Sequence, residues 1–450
     1  MAENTDKTLR NKLIYQIFIR NYGEKGTFKK VEEDLSRIRD LGTDIIYFLP
    51  IHPIGEKNRK GTLGSPYAIR DYRGINPEYG TMEDFISLTE AIHEAGMKCM
   101  IDVVYNHTSP DSVLAAEHPG WFYHREDGSF GNRVGDWTDI IDLDYTNPEL
   151  WDYQIETLKF WAQYVDGFRC DVAPLVPVEF WERARRETKK VRPGCIFLAE
   201  SVEPGFILHL RGRGIRAHSD AELYRAFDIL YDYDIQEFLT GYLKGKSSLQ
   251  AYADAVNRQE YIYPDEHIKL CFLENHDQTR AAFLVPDKKA LRNLTAFSFF
   301  RKGTAFLYAG QEFGVSHLPT LFDADPVSLI PEDGTDLTEL IKILSKLKKN
   351  PAFTDSIFHA EAPLPDVLVA EHSEKEQPGT VCPQNGETKK AAVGIFSLKG
   401  KSATVPVPLP DGIFHDEISG RETEVFRGMI RTFGEPVLIL PGKASKGAAK

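Results

Sequence analysis

Short, almost continuously apolar runs recur along the chain, at residues 13–20, 44–50, 98–106, 165–172, 195–201, 226–233, 268–275 and 305–310. Unbroken apolar runs of this length fit parallel strands buried on both faces, whereas a half-exposed strand would alternate. Between them the apolar positions take helical spacing. Val31, Leu35, Ile38 and Leu41 recur before Gly42, and Thr81 with Asp84 forms a capping-box pattern for a helix stopping near Gly96. Asn147-Pro148 supplies an N-cap followed by proline at the first helical position, with Trp151, Ile155, Leu158 and Trp161 marking one face. Eight strands alternating with helices predict an α/β fold, a (β/α)8 barrel rather than an open sheet.

Two stretches break the alternation. Residues 51–80 form a loop rich in Gly, Pro and Tyr after the second strand, and residues 108–140 form an insertion after the third. Both fall at the face of a barrel that carries active sites. Past residue 352 the runs shorten and alternate, as at 392–398 and 437–440, with turns at Pro410-Asp411-Gly412 and Ser419-Gly420. The pattern divides the chain into a barrel over 1–352 containing the insertion, an antiparallel β-sandwich over 353–442 and a disordered tail over 443–450.

Composition narrows the function classes. The net charge of −13 argues against a nucleic-acid or anionic-membrane surface, which needs clustered Lys and Arg. No apolar run is long enough to span a bilayer, and the polar start Met1-Ala2-Glu3-Asn4-Thr5-Asp6 lacks a signal peptide's apolar core. The expectation is a cytoplasmic protein. Five scattered cysteines, at 99, 170, 195, 271 and 382, make neither a disulfide framework nor a metal set. Those in apolar runs are expected as buried thiols. Lys342, Lys346, Lys348 and Lys349 are expected on a solvated helix face.

Chemistry gathers where apolar strands end in polar groups: Asn106-His107 after the third, Arg169 and Asp171 in the fourth, Glu200 ending the fifth, and Glu274-Asn275-His276-Asp277 ending the seventh. Pleating puts Arg169 and Asp171 on one side of the strand and Cys170 on the other. A guanidinium there is expected to hold the Asp171 carboxyl ionised, while the apolar neighbours Leu198 and Ala199 raise the pKa of Glu200. Trp121, Phe122, Tyr123 and Trp137 of the insertion read equally as sugar-stacking platforms and as a small core.

Taken together and in order, DVVYNH (102–107), GFRCD (167–171), the strand-end Glu200 and ENHD (274–277) resemble the four signature regions of the α-amylase superfamily, glycoside hydrolase family 13. The segment from Tyr67 to Tyr72 resembles the one that supplies that family's stacking tyrosine. The resemblance implies that Asp171 is the catalytic nucleophile, Glu200 the general acid/base and Asp277 the third carboxylate that stabilises the transition state. It implies substrate-binding roles for Tyr67, Asp71, His107, Arg169 and His276. Paired carboxyls of this kind suit glycosidic cleavage through an oxocarbenium-like state, with retention when they stand close. No cofactor is required and no metal ligand is assigned. Asn106 and Asp142 resemble positions that hold a structural calcium in relatives, and the short insertion leaves calcium and a metal-free scaffold equally open.

The resemblance implies a retaining α-glucan hydrolase acting on maltodextrin and starch-derived oligosaccharides. A 4-α-glucanotransferase and an exo-α-glucosidase, acting on α-1,4 or α-1,6 bonds, stand as alternatives. A non-catalytic carbohydrate-binding relative is disfavoured, because all three carboxylates are present. One departure matters: many endo-acting members carry Lys-His shortly after the nucleophile, where this chain has Val172-Ala173-Pro174-Leu175. That departure predicts a weakened leaving-side subsite and a preference for short oligosaccharides.

Overall fold

A computed structural model describes residues 1–135, 137–331, 334–375 and 389–441. Eight strands, β1 (Leu13–Ile17), β2 (Ile45–Phe48), β3 (Lys98–Val103), β4 (Gly167–Cys170), β5 (Ile196–Ala199), β6 (Ile229–Tyr231), β7 (Lys269–Cys271) and β8 (Thr304–Tyr308), close into a barrel. Every neighbouring pair is parallel, and β1 lies between β2 and β8. Apart from Lys98, every residue of these strands is buried, which is why they are apolar without alternation.

The helices start where their caps are written. Thr27 accepts the N–H of Lys30 to open Phe28–Asp40, Thr81 and Asp84 form a capping box for Met82–Glu94, and Asn147 caps Pro148–Trp161. The last helix before the C-terminal sheets, Thr338–Lys348, corrects one expectation. Its buried face runs Ile341, Leu344, Ser345, Lys348, so Lys348 points inward, 2% exposed, and its Nζ donates to the Arg301 carbonyl. Helical spacing puts residue 348 on the same face as 341 and 344, and burial lowers its pKa to about 7.

The insertion is held by a two-stranded ribbon, His107–Thr108 against Ile141–Asp142. Trp121 and Phe122 are buried as part of the main hydrophobic core, whereas Trp137 stays partly exposed against a small cluster of Ile54, Ala68 and Ile140. C-terminal to the barrel, strands β9 (Ser356–Leu364), β10 (Val367–Glu374), β11 (Lys390–Ser397) and β16 (Val437–Ile439) make one antiparallel sheet. A second is built from β12 (Ser402–Pro406), β15 (Met429–Phe433), β14 (Glu422–Phe426) and β13 (Gly412–His415), in that order. Their facing side chains, including Val369, Val393, Ile395, Val405, Val425 and Ile430, form one apolar cluster. Cys99, Cys170, Cys195 and Cys271 are buried free thiols; Cys382 and the tail over 443–450 lie outside the described residues.

Candidate active site

The β3–β4 register sets Asp102 beside Arg169, and the end of β4 brings Asp171 onto the same guanidinium. Arg169 is fully buried; its Nη1 lies 2.9 Å from both oxygens of Asp102 and 2.8 Å from Asp171 Oδ1. Its Nη2 stands 2.7 Å from Glu200 Oε1, but at an angle that makes no hydrogen bond, so this contact is Coulombic only. The hydroxyls of Tyr47 and Tyr67 donate to Asp102 Oδ2 at 2.6 and 3.0 Å. One buried cation therefore serves three carboxylates.

That ratio decides the protonation chemistry. Burial raises the pKa of Asp171, and the charges of Glu200 and Asp102 add to it against the pull of Arg169. Burial also raises Glu200, with Asp277 adding to it and Arg169 opposing. The rise at Glu200 agrees with the sequence; the expected depression of Asp171 does not occur, because burial, reinforced by the charges of Glu200 and Asp102, outweighs Arg169. The two carboxyls titrate as a pair that holds a proton above the ordinary carboxylate range.

Val172, next to Asp171, adopts φ 40°, ψ 43°. A β-branched residue in the left-handed region is a real outlier of the kind that collects at functional sites. The turn directs the Val172 N–H to Glu200 Oε2 at 2.8 Å, tying the two carboxyl-bearing strands together.

Opposite stands a second group. Tyr67 Oη lies 2.6 Å from His276 Nε2, and His276 Nδ1 faces Gln16 Nε2 at 3.0 Å. With Gln16 donating, Nδ1 is the acceptor and the proton sits on Nε2, which faces both Tyr67 and, at 3.0 Å, Asp277 Oδ2. The Asp277 side chain is 43% exposed to the cleft, and against the desolvation by surrounding protein the adjacent His276 holds its carboxyl below the usual value. His107 is buried beside Trp137, its rings 5.7 Å apart by centroid, and burial lowers its pKa to about 4, so it is neutral.

Asp171, Glu200, Asp277, Tyr67 and His107 line one cleft of about 300 Å³. Arg169 and His276 stand directly behind it. Asp71 is not brought to it: its Oδ1 accepts the Arg73 N–H at 2.9 Å in a local turn. The sequence reading missed Asp102, Tyr47 and Gln16 as supporting groups, and Lys60, Asp139 and Phe322 as further lining. Asp102 carries a signal that could have been used, since a carboxylate inside a buried strand demands a cation partner.

The calcium question turns on Asp142. This carboxylate is buried; Oδ2 accepts the Arg133 N–H at 2.7 Å, while Oδ1 has no hydrogen-bond partner. Burial raises its pKa to about 6. The Arg133 guanidinium stands 3.6 Å from Asp142 Oδ2 and 3.9 Å from Asp144 Oδ1, and Asn106 donates its amide to His107 Nδ1 at 3.1 Å. A divalent ion there would meet a protein cation already in place. Among the described residues, no group of three or more His, Cys, Asp or Glu is arranged to hold a metal. Where the Lys-His pair is missing, Leu175 packs, with Val134, Phe206 and Ile215, against an apolar cluster of Ile207, Leu210 and Ala217.

A family model of the alpha amylase catalytic domain matches residues 4–127 and 115–358, and one of the bacterial alpha amylase C-terminal domain matches residues 359–439. An alpha-amylase from Lactobacillus plantarum has a similar crystal structure, with TM-score 0.90 at 46% identity, covering 96% of this chain and 99% of that one. A noncanonic maltogenic alpha-amylase, AmyB from Thermotoga neapolitana, gives 0.82 at 30% identity, covering 96% and 99%. The alpha-1,4-glucan:maltose-1-phosphate maltosyltransferase of Rhodospirillum rubrum is 38% identical over 200 residues, 40% of this chain but only 29% of that protein. The match thus spans less than a third of that curated relative's length.

Proposed function

The chain belongs to the α-amylase family, glycoside hydrolase family 13, and from that premise we propose that it is a retaining α-glucan hydrolase acting on maltodextrins. The observation that carries this reading is the Asp171–Arg169–Glu200 contact, which holds two carboxyls on one buried guanidinium. Retaining cleavage uses carboxyls about 5–5.5 Å apart. Glu200 gives its proton to the leaving glycosidic oxygen as Asp171 Oδ2, the oxygen free of Arg169, bonds to the anomeric carbon. Glu200 then takes a proton from water, whose oxygen displaces Asp171 and restores the original configuration. Arg169 makes its aligned hydrogen bond to Asp171 and only a misaligned contact to Glu200, which supports leaving the negative charge on Asp171 and the proton on Glu200. Tyr67 and His107 line the cleft where the sugar at the cleavage point would sit, His276 holds Tyr67 and Asp277 from behind, and Asp277 stabilises the developing positive charge.

Maltoheptaose digestion followed by chromatography and proton NMR tests this reading: α-anomeric products are expected first. β-anomeric product, or cleavage surviving Asp171→Asn, overturns it. A second reading, transfer to a sugar acceptor, is favoured by the maltosyltransferase relatives and by the apolar cluster that Leu175 joins in place of the Lys-His pair. Products longer than the substrate would establish it. A metal-free scaffold and a cytoplasmic location complete the proposal, the latter supported by four buried free thiols.

A further inference from the structure

Three segments that are distant in sequence meet at the cleft on the side away from Glu200. Leu63 and Gly64, in the loop after β2, donate their N–H groups to the Phe322 carbonyl, in the loop after β8, at 3.0 and 3.2 Å. The N–H and hydroxyl of Thr62 both bond Asp323 Oδ1, at 2.8 and 2.7 Å. Arg20, 4% exposed, ties the same two loops from beneath, its Nη1 donating to the carbonyls of Gly64 and Leu321 at 2.8 and 2.9 Å. The approach is tight enough that a Cβ on Gly61, whose φ is +63°, would fall 2.6 Å from Phe322 Cβ. The insertion joins them through an ion pair: Lys60 Nζ stands 2.8 Å from Asp139 Oδ1 and 5.9 Å from the centre of the Phe322 ring. Asp139 is 5% exposed.

The barrel fixes which way this wall faces. Glu200, at the end of β5, protonates the leaving oxygen, so the leaving part of the substrate lies on the β5 side. The loops after β2 and β8 flank β1, which is opposite β5 in the closed ring of eight. The retained, glycone part of the substrate therefore extends toward them. Lys60 and Phe322 line the same cleft of about 300 Å³ as the catalytic carboxyls, a volume at the small end of ligand sites. A polymer bound through its middle needs an open path on both sides of the cleaved bond.

We propose that the strap formed by Lys60, Asp139 and Phe322 closes the glycone end of the cleft, so that the enzyme removes short units of uniform length from non-reducing chain ends. This rests on the reading of the site as one that cleaves α-glucans. Lys60 acts as a specificity-determining residue: its ammonium bridges the loop after β2 to the insertion and takes no part in proton transfer.

The test compares maltoheptaose labelled at its reducing end with the same substrate blocked at its non-reducing end by a 4,6-O-ethylidene group. The wild-type enzyme should shorten the free substrate stepwise by one constant unit and cleave the blocked one at least about tenfold more slowly. Lys60→Ala and Lys60→Met should bring the two rates together and scatter the early product lengths, whereas Lys60→Arg should retain the wild-type pattern. Equal wild-type rates on the two substrates, or an unchanged ratio in Lys60→Ala, would overturn the strap while leaving the hydrolase reading intact. Cleavage of neither substrate would overturn the hydrolase reading and the strap with it.

Discussion

At the scale of single residues, Arg169 is the group on which the site depends. Its guanidinium is buried among Asp102, Asp171 and Glu200. An ammonium has no planar fork with which to face three carboxylates, so Arg169→Lys should lower kcat by about a hundredfold or more, with far less change in KM, in steady-state kinetics on maltoheptaose. Asp171 carries an opposing consequence for stability. Burial and neighbouring charge raise its pKa, so ionising it at neutral pH costs the folded state free energy. That cost is absent below about pH 4, where the folded and unfolded forms are both protonated. Asp171→Asn should therefore abolish hydrolysis yet raise Tm at pH 7, and the gain should vanish at pH 4. A variant less stable than wild type at pH 7 would show that Arg169 outweighs burial after all. The same raised pair moves the acid limb of activity: activity needs Asp171 ionised, so the limb should lie above the range of an ordinary carboxyl.

Elements were legible in the sequence to the extent that burial is local. Each barrel strand is buried on both faces and could be found from its own composition, and the caps at Thr81 and Asn147 lie beside the helices they open. The strand-end carboxyls were legible because a charge ending an apolar run stands out. Lys60, Asp139 and Phe322 were not, since their meeting depends on loops separated by much of the chain and brought together only by barrel closure. Arg133 was hidden for a different reason: it stands only nine residues from Asp142, but nothing near either residue in sequence marks that carboxylate as buried. The insertion then makes its own prediction. Arg133→Ala leaves the buried Asp142 without its cation and should cost about 1–2 kcal/mol, the low end for such a pair because the Arg133 side chain is 33% exposed. Added calcium should raise the Tm of the variant, now that the carboxylates are free, while neither calcium nor a chelator should move the wild type. A large, calcium-reversible loss of wild-type stability on chelation would contradict the assignment of Arg133 as the resident cation.

Across the whole molecule, the barrel and the C-terminal sheets are joined through His372 of β10. Its ring is fully buried, with centroids 5.0 Å from Phe300, 4.6 Å from Phe353 and 5.1 Å from Phe358. The Ser356 hydroxyl lies 2.7 Å from Nδ1, and Nε2 lies 2.7 Å from the Phe300 carbonyl at the end of the barrel helix Lys288–Phe300. A carbonyl can only accept, so Nε2 carries the proton and Nδ1 accepts from Ser356; the neutral ring satisfies both partners. Burial lowers the pKa of His372 to about 3. Unfolded, the same histidine titrates near 6.5, so below that value the unfolded chain binds a proton that the folded chain refuses. Stability from this group is complete above pH 6.5 and drains away as the pH falls toward 3. His52, His107 and His267 are lowered by burial in the same direction, to about 4, 4 and 3, whereas buried carboxyls such as Asp142, raised to about 6, work the other way. The total slope is therefore a contest, and one substitution isolates one contribution. His372→Gln keeps an amide donor for the Phe300 carbonyl but cannot titrate. Between pH 7.5 and 5.5 the wild type should lose about 1.4 kcal/mol relative to this variant, read from urea unfolding at each pH. Parallel stability curves would mean that the junction does not hold His372 neutral, and that the contact between barrel and sheets tolerates a charge there.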